Sequence, residues 1–216
     1  MIYFTHKWYG YRIFQALNLS IVLNRSILMQ IIYFGKPYSF AHIAALRRFG
    51  NKNSYISRDT IDQVVESLKQ KSGSLAVVPI ENTTGGIILD TVDILSSEEN
   101  LDNLSIAEEL ELNIELFLIG KKKIPLDQIK KVYSHEYPLK RSENWIKRNL
   151  SSGVKLVKTT STSEAVNKIR NIYECAIASK DAAKYYKYSS LAKIIYDPNE
   201  KKNITRFFIL KNENNA

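Results

Sequence analysis

Hydroxyl-bearing side chains occur at four places where a predicted strand gives way to a predicted helix. These places are Ser39, the segment 83–86 (TTGG), the pair Ser134-His135 and the pair Ser161-Thr162. Helix N-termini carry unpaired amide groups and the positive end of the helix dipole, and both favour bound carboxylates. Ligands of open α/β sheets bind at this edge. A single Ser or Thr can simply cap its own helix, but four matched positions predict a cleft for a small anion.

Motifs for several other kinds of site are absent from the sequence. There is no G-x-x-x-x-G-K-[ST] loop, no G-x-G-x-x-G turn and no G-x-S-x-G elbow. The three histidines, His6, His42 and His135, are scattered and show no paired His/Cys spacing. We therefore expect neither a metal nor an organic cofactor.

The composition indicates a folded protein of the reducing interior of the cell. The chain has 216 residues, 44% of them hydrophobic, which is enough to bury a sizeable core. The single cysteine, Cys175, excludes an internal disulfide framework. The sequence contains no run of about 18 apolar residues, so we predict no membrane span. We expect a cytoplasmic protein that contacts no membrane.

The net charge of +9 does not by itself indicate nucleic-acid binding. Of the 31 basic residues 9 are arginines and 22 are lysines, and the lysines are spread along the whole chain. Such a distribution is typical of compositional bias, or of a charge that steers an anionic ligand. Neither interpretation predicts a nucleic-acid partner.

Residues 1–28 differ in character from the remainder of the chain. Their apolar run at 21–23 is short, and no small-residue cleavage site follows it, which argues against a signal peptide. Met29 directly precedes the first convincing strand. We expect residues 1–28 to be an N-terminal extension that is not native to the domain, with translation beginning near Met29.

From residue 30 onward, short apolar strands alternate with amphipathic helices, which predicts α/β layers. The predicted strands are 30–34, 75–79, 131–134, 154–157, 176–178, 191–195 and 204–210, with one bent strand or two over 104–119. The predicted helices are 39–49, 60–70, 87–95, 139–150 and one that the capping box at 161–164 opens.

Several segments, read in order, resemble the prephenate dehydratase family over about residues 30–211. V-P-I-E-N-T at 78–83 and N-I-T-R-F at 203–207 are the most specific of them. Weaker matches are Y-F-G at 33–35 with S-F-A-H at 39–42, V-Y-S-H at 132–135, and S-T-S-E-A at 161–165. The resemblance implies an α/β, two-lobed, periplasmic-binding-protein-like (type II) fold with the active site in the interlobe cleft.

This resemblance also implies boundaries and an activity. The catalytic domain would span 29–211, with lobe 1 at about 29–108 plus 190–216 and lobe 2 at about 109–189. The expected activity is that of a hydro-lyase, the decarboxylative dehydration of prephenate to phenylpyruvate in L-phenylalanine biosynthesis. The family's C-terminal ACT module has no counterpart in the printed sequence, so feedback through that module is not expected. A homodimer is expected from the family alone.

The family's functional positions map onto residues of this chain. Thr205 is the expected catalytic residue, as a hydrogen-bond donor to the leaving oxygen. Glu81 is the alternative acid if burial raises its pKa, or else a structural carboxylate. Arg206 either holds the pyruvyl carboxylate or braces its loop, and Phe207 lines the ring pocket or packs in the core. The expected substrate-binding residues are Asn82, Thr83, Ser39, Ser134, Thr162, Arg206 and Phe207.

The chain departs from the family pattern at several positions. Lys36 and Tyr38 stand where the family has proline and glycine, Leu116 where it has histidine, and Tyr137 where it has a substrate-binding glutamine. Three alternatives therefore stay open besides the dehydratase: an arogenate dehydratase, a prephenate decarboxylase, and a non-catalytic relative that binds a small anion.

Overall fold

The computed structural model describes residues 28–195 and 201–215. Apart from Leu28, the predicted extension at residues 1–28 lies outside these ranges. The strands are β1 (Gln30–Phe34), β2 (Ser54–Arg58), β3 (Leu75–Asn82), β4 (Gly86–Ile87), β5 (Leu104–Asn113), β6 (Phe117–Gly120), β7 (Lys131–His135), β8 (Lys155–Thr159), β9 (Glu174–Ala178), β10 (Ser189–Lys193) and β11 (Ile204–Asn212). The helices are α1 (Phe40–Phe49), α2 (Ile61–Gln70), α3 (Leu89–Leu95), α4 (Glu98–Leu101), α5 (Glu136–Arg141), α6 (Glu143–Asn149), α7 (Thr162–Lys168) and α8 (Lys180–Tyr185).

The first lobe is built on a mixed sheet in the order β2-β1-β3-β11-β5, with β4 paired to β3. β1, β2 and β3 run parallel, and β11 lies antiparallel between β3 and β5. Alternate residues of β1 enter different cores, since Ile31 packs with residues of α1 and Ile32 with residues of α2. Both faces are thus covered, which explains why β1 and β3 read as continuous apolar runs.

The second lobe is a smaller sheet in the order β10-β6-β9-β7-β8. β7, β8 and β9 are parallel, and β6 is antiparallel to β9. Val166 of α7 packs with Tyr133 on one face, while Trp145 of α6 packs with Val132 on the other. The predicted helix 139–150 is in fact two helices, α5 and α6, which meet at Ser142.

The chain crosses between the lobes twice, after β5 and after β10. Both crossings lie a few residues later than predicted. β5 stays in the first sheet as far as Asn113, which pairs with Ile204, and β10 belongs to the second sheet through its pairing with β6. Lobe 1 therefore comprises 30–113 and 204–212, and lobe 2 comprises 117–193. Leu116 and Ile194 on the crossings belong to one apolar cluster that both lobes share.

This arrangement confirms the predicted two-lobed α/β fold. Within the described ranges, no helix combines the length and the apolar character that crossing a membrane requires.

Candidate active site

A cavity of about 800 Å³ lies between the lobes, and we call it the interlobe cleft. Its lining from lobe 1 includes Phe34, Gly35, Lys36, Ser39, Phe40, Asp59, Pro79, Asn82, Ile87, Thr205 and Phe207. Its lining from lobe 2 includes His135, Tyr137, Pro138, Thr160, Ser161, Thr162 and Glu164. A depression of similar volume lies on the outside of lobe 1, against α2 and α3, and contains none of the predicted site residues.

Polar N-terminal residues of three helices, α1, α5 and α7, line this cleft. Ser39 caps α1: its Oγ accepts a hydrogen bond from the amide of His42 and donates one to the carbonyl of Phe34 at 3.0 Å. Ser161 caps α7, with its Oγ 3.0 Å from the Glu164 amide, and Thr162 begins that helix. The structure thus places two of the predicted binding residues, Ser39 and Thr162, on opposite sides of one cavity.

Asn82 and Thr205 are joined across β3 and β11 at the cleft. Asn82 Nδ2 donates to Thr205 Oγ1 at 2.9 Å and to Asn203 Oδ1 at 2.8 Å. Asn82 Oδ1 in turn accepts from the amides of Thr84 and Gly85 at 3.0 and 2.8 Å. Because Thr205 Oγ1 accepts the hydrogen bond from Asn82, its own proton is left to donate into the cleft.

A β-bulge sets which residues of β3 face the cleft. Arg206 pairs with Glu81 and Phe207 pairs with Pro79, so Ile80 is the extra residue. Pro79 and Asn82, three positions apart, therefore both line the cavity. Phe207 lines the cavity with them while its side chain is almost wholly buried.

Glu81 and Arg206 lie on the other face of the sheet, outside the cleft lining. Arg206 Nη1 donates to Glu81 at 3.0 Å, and Nη2 donates to Glu109 at 2.7 Å. These two carboxylates raise the pKa of the Arg206 guanidinium. This placement favours the alternatives given for the two residues, a structural carboxylate for Glu81 and a brace for Arg206, over the roles of acid and substrate ligand.

Thr83 and Ser134 also lie outside the cleft lining. The Thr83 hydroxyl donates to the carbonyl of Lys202 and accepts from the amide of Ile204. Ser134 is fully buried and donates to the carbonyl of Ile177 at 2.7 Å. Both hydroxyls hold backbone segments together, and neither belongs to the described lining of the cleft, which favours a structural role for them over the predicted contact with substrate.

Several lining residues are not among the substrate-binding residues predicted from the sequence. His135 follows Ser134 in β7, and adjacent side chains of a strand point to opposite faces. To predict which of the two lines the cleft, one has to know which face of β7 lies toward the cleft. Glu164 lies at the lobe 2 side, and hydrogen bonds from the hydroxyl and amide of Thr160 lower the pKa of its carboxyl group. Tyr137 reaches across the cleft, because a Cβ added at Gly85 would meet its ring at 3.4 Å.

An aromatic cluster supports the loop between β1 and α1. Tyr38 has a φ of 61° and stacks on Tyr185 of lobe 2 with ring centroids 4.5 Å apart. Its amide donates to His42 Nδ1 at 2.9 Å, and the His42 ring stacks on Tyr33. Burial lowers the pKa of His42 to about 4, so its imidazole is neutral at pH 7. The left-handed conformation at Tyr38 accounts for the glycine that the resembled family has there.

Fold and cleft together define a two-lobed α/β protein with a small-molecule site between its lobes. No group of three His, Cys, Asp or Glu side chains suited to a metal ion occurs within 28–195 and 201–215.

The chain belongs to the prephenate dehydratase family, whose model matches residues 31–215. The bifunctional chorismate mutase/prephenate dehydratase of Aquifex aeolicus is 31% identical over 193 residues, which cover 89% of this chain and 51% of that protein. The chain thus spans about half the length of the curated relatives it matches.

Solved structures show the same architecture. The prephenate dehydratase of Staphylococcus aureus is 25% identical with a TM-score of 0.69, over 85% of this chain and 66% of that one. A prephenate dehydratase of Arthrobacter aurescens in complex with L-Phe is 22% identical with a TM-score of 0.74, over 85% of this chain and 60% of that one.

Proposed function

We propose that this chain is a hydro-lyase that converts prephenate to phenylpyruvate. Family membership supports this proposal, and one observation carries the chemistry. Thr205 lines the interlobe cleft, and its hydroxyl oxygen accepts a hydrogen bond from Asn82, so the hydroxyl proton remains available to a ligand.

The reaction breaks two bonds of the substrate ring. The electron pair of the bond to the ring carboxylate moves into the ring as CO2 forms, and the bond to the ring hydroxyl breaks. The hydroxyl leaves as hydroxide, takes up a proton from solvent and becomes water, while the ring becomes aromatic. Negative charge therefore moves from the carboxylate to the departing oxygen, and a donor placed at that oxygen stabilises the transition state.

Thr205 is the donor that the geometry offers. A threonine hydroxyl is a poor acid, so it acts by hydrogen bonding and not by full proton transfer. Removal of one positioned hydrogen-bond donor of this kind typically lowers kcat by about 10²–10³-fold. Asn82 orients it, since its amide nitrogen fixes the hydroxyl oxygen and its amide oxygen is fixed by the loop at Thr84 and Gly85.

Thr162 and the amide groups at the start of α1, the helix that Ser39 caps, are the proposed ligands of the substrate carboxylates. The Ser39 hydroxyl already donates its proton to the carbonyl of Phe34, so Ser39 serves by holding the start of α1 in place. Neutral donors suit the carboxylate that leaves as CO2. An ion pair there would stabilise the charged ground state more than the transition state, in which that charge disperses. Phe207 and Pro79 supply the apolar surface against which the ring lies.

The test is a turnover assay with prephenate in which phenylpyruvate is detected in alkali, with the Thr205→Ala variant measured alongside. Phenylpyruvate from the wild type and almost none from the variant would support the proposal. Unchanged prephenate, or a product that retains the ring hydroxyl, would overturn it. The second of these outcomes would identify a prephenate decarboxylase.

Arogenate, which carries an ammonium group where prephenate has a keto group, is assayed in parallel under the same conditions. A higher kcat/KM for arogenate would make the chain an arogenate dehydratase. The homodimer and the cytoplasmic location belong to the same proposal, and sedimentation of the purified chain tests the first.

A further inference from the structure

The interlobe cleft holds few charged side chains. Among its described lining residues, Lys36 is the one lysine or arginine, and Asp59 and Glu164 are the carboxylates. The lysine, aspartate and glutamate side chains of this lining thus supply one positive and two negative charges. A dicarboxylate substrate has to bind here, so the position and freedom of the single ammonium group matter for affinity.

Lys36 and Asp59 lie directly beyond two neighbouring parallel strands, β1 and β2. The amide of Gly35 donates to the carbonyl of Arg58 at 2.7 Å, which brings the two strand ends together. The amide of Ser39 donates to the carbonyl of Lys36 at 2.9 Å, so Lys36 and Ser39 are the two ends of one turn. The lysine therefore belongs to the same segment as the serine that caps α1.

The ion pair between Lys36 and Asp59 is suited to exchange of partners. Lys36 Nζ is 2.6 Å from Asp59 Oδ1, and about half of each side chain is exposed, 49% and 61%. An exposed pair of this kind contributes little to stability, so a ligand carboxylate can replace Asp59 at small cost. Within the described part of the chain, the Asp59 carboxylate is bonded to Lys36 alone.

Glu164 behaves differently from Asp59. Its carboxylate accepts hydrogen bonds from the amide and the hydroxyl of Thr160, and Lys168 of the same helix lies 3.3 Å away. Its negative charge is thus neutralised locally and does not compete for Lys36.

We propose that Lys36 exchanges Asp59 for the pyruvyl carboxylate of the substrate, which the reaction retains, and that this pair sets the affinity of the cleft for a dicarboxylate. The inference rests on the proposed function and deepens it. The resembled family has proline at position 36, so the lysine is a feature of this chain. Lys36 is a binding residue, and Asp59 lowers affinity by occupying it.

Steady-state kinetics on prephenate test the pair. Lys36→Met raises KM about tenfold with kcat within about twofold, since a charge-assisted hydrogen bond is lost in ground state and transition state alike. Lys36→Arg retains most of the affinity. Asp59→Asn lowers KM about threefold, because the ammonium group no longer has a competing partner. In the Lys36→Met background, Asp59→Asn lowers KM much less, because the ammonium group with which Asp59 pairs is missing.

Lys193→Met is the matched control. Lys193 is similarly exposed at 51% and is paired with Glu115, but it does not line the cleft. The inference is overturned if Lys36→Met raises KM no more than Lys193→Met does. It is equally overturned if Asp59→Asn raises KM as Lys36→Met does, which would mean that the pair only holds the loop.

Calorimetric binding of prephenate separates this inference from the proposed function. If the wild type makes no phenylpyruvate, the proposed function fails, and the Kd values of wild type and Lys36→Met still decide the inference. A weaker Kd for the variant supports it, and equal or absent binding overturns it. If the wild type turns over and Lys36→Met changes nothing, the function stands and the inference fails.

Discussion

Asn82 Nδ2 lies 2.9 Å from Thr205 Oγ1, across the antiparallel pair formed by β3 and β11. The two residues are separated by more than 120 positions in the chain and are neighbours only through this pairing. The bond links the two most specific sequence segments into one unit. It also decides the orientation of the threonine hydroxyl, because an oxygen that accepts from Asn82 presents its proton elsewhere.

Thr205→Val tests the hydroxyl with little change in volume. We expect kcat for prephenate to fall by about 10²-fold or more with a small change in KM, because the donor acts on the transition state. Thr205→Ser keeps the donor and most of the activity. Thr83→Val is the matched control, since the Thr83 hydroxyl bonds backbone groups outside the cleft lining. Equal losses for Thr205→Val and Thr83→Val would show that both hydroxyls serve only the loop.

Glu81→Gln tests the face of the sheet away from the cleft. We expect kcat and its pH profile to stay within about twofold of the wild type, because Glu81 contacts Arg206 and not the cavity. Arg206→Met costs about 1 kcal/mol of unfolding free energy, since its ion pairs are partly exposed to solvent. Steady-state assays and urea unfolding measure the two effects. A loss of the acidic limb of the profile in Glu81→Gln would restore the role of this residue as the acid.

The sequence predicts which segments form the site, but it does not predict on which side of each strand a given side chain lies. The motifs at 78–83 and 203–207 predict two strands near the ligand, and the structure pairs them. Adjacent residues of a strand point to opposite faces, so the pair Thr205-Arg206 contains one cleft residue and one brace. The bulge at Ile80 is defined by the register between β3 and β11, so the sequence of β3 alone does not predict it.

Strand ends show the same limit. Ser39 and Thr162 lie where a helix begins after a strand, and both line the cleft. Ser134 occupies a similar place in the sequence, yet its side chain is fully buried and bonded to the carbonyl of Ile177. The next residue, His135, lines the cavity instead. β2 was not predicted, because its residues are half-buried or exposed and lack an apolar run. Its position beside β1 is nevertheless what brings Asp59 to the cleft.

Tyr38 offers a test of backbone strain at the interlobe contact. Both Tyr38→Ala and Tyr38→Gly lose the stack on Tyr185, but only glycine adopts a φ of 61° without steric cost. We expect Tyr38→Gly to be more stable than Tyr38→Ala by about 1 kcal/mol in urea unfolding. Equal stabilities would mean that the loop takes another conformation once the tyrosine ring is removed.

His42 makes the stability of the protein depend on pH between about 4 and 6.5. Burial lowers its pKa to about 4 in the folded chain, while an unfolded histidine keeps a pKa of about 6.5. As the pH falls through this window the unfolded chain takes up a proton that the folded chain does not, so stability is lost. Its contribution is fully present above about pH 6.5, and up to about 3 kcal/mol of it is gone by pH 4.

His42→Asn isolates this contribution, because an asparagine oxygen can accept the hydrogen bond of the Tyr38 amide without titrating. Urea unfolding of both proteins is measured at pH 7, 6, 5 and 4.5. The two proteins have the same carboxylates, so the effect of carboxylate protonation cancels in the difference between their unfolding free energies. We expect the wild type to lose more unfolding free energy than the variant as the pH falls, with the difference growing below about pH 6. Parallel curves would show that the folded and unfolded chains protonate His42 at the same pH, and burial would then not lower its pKa.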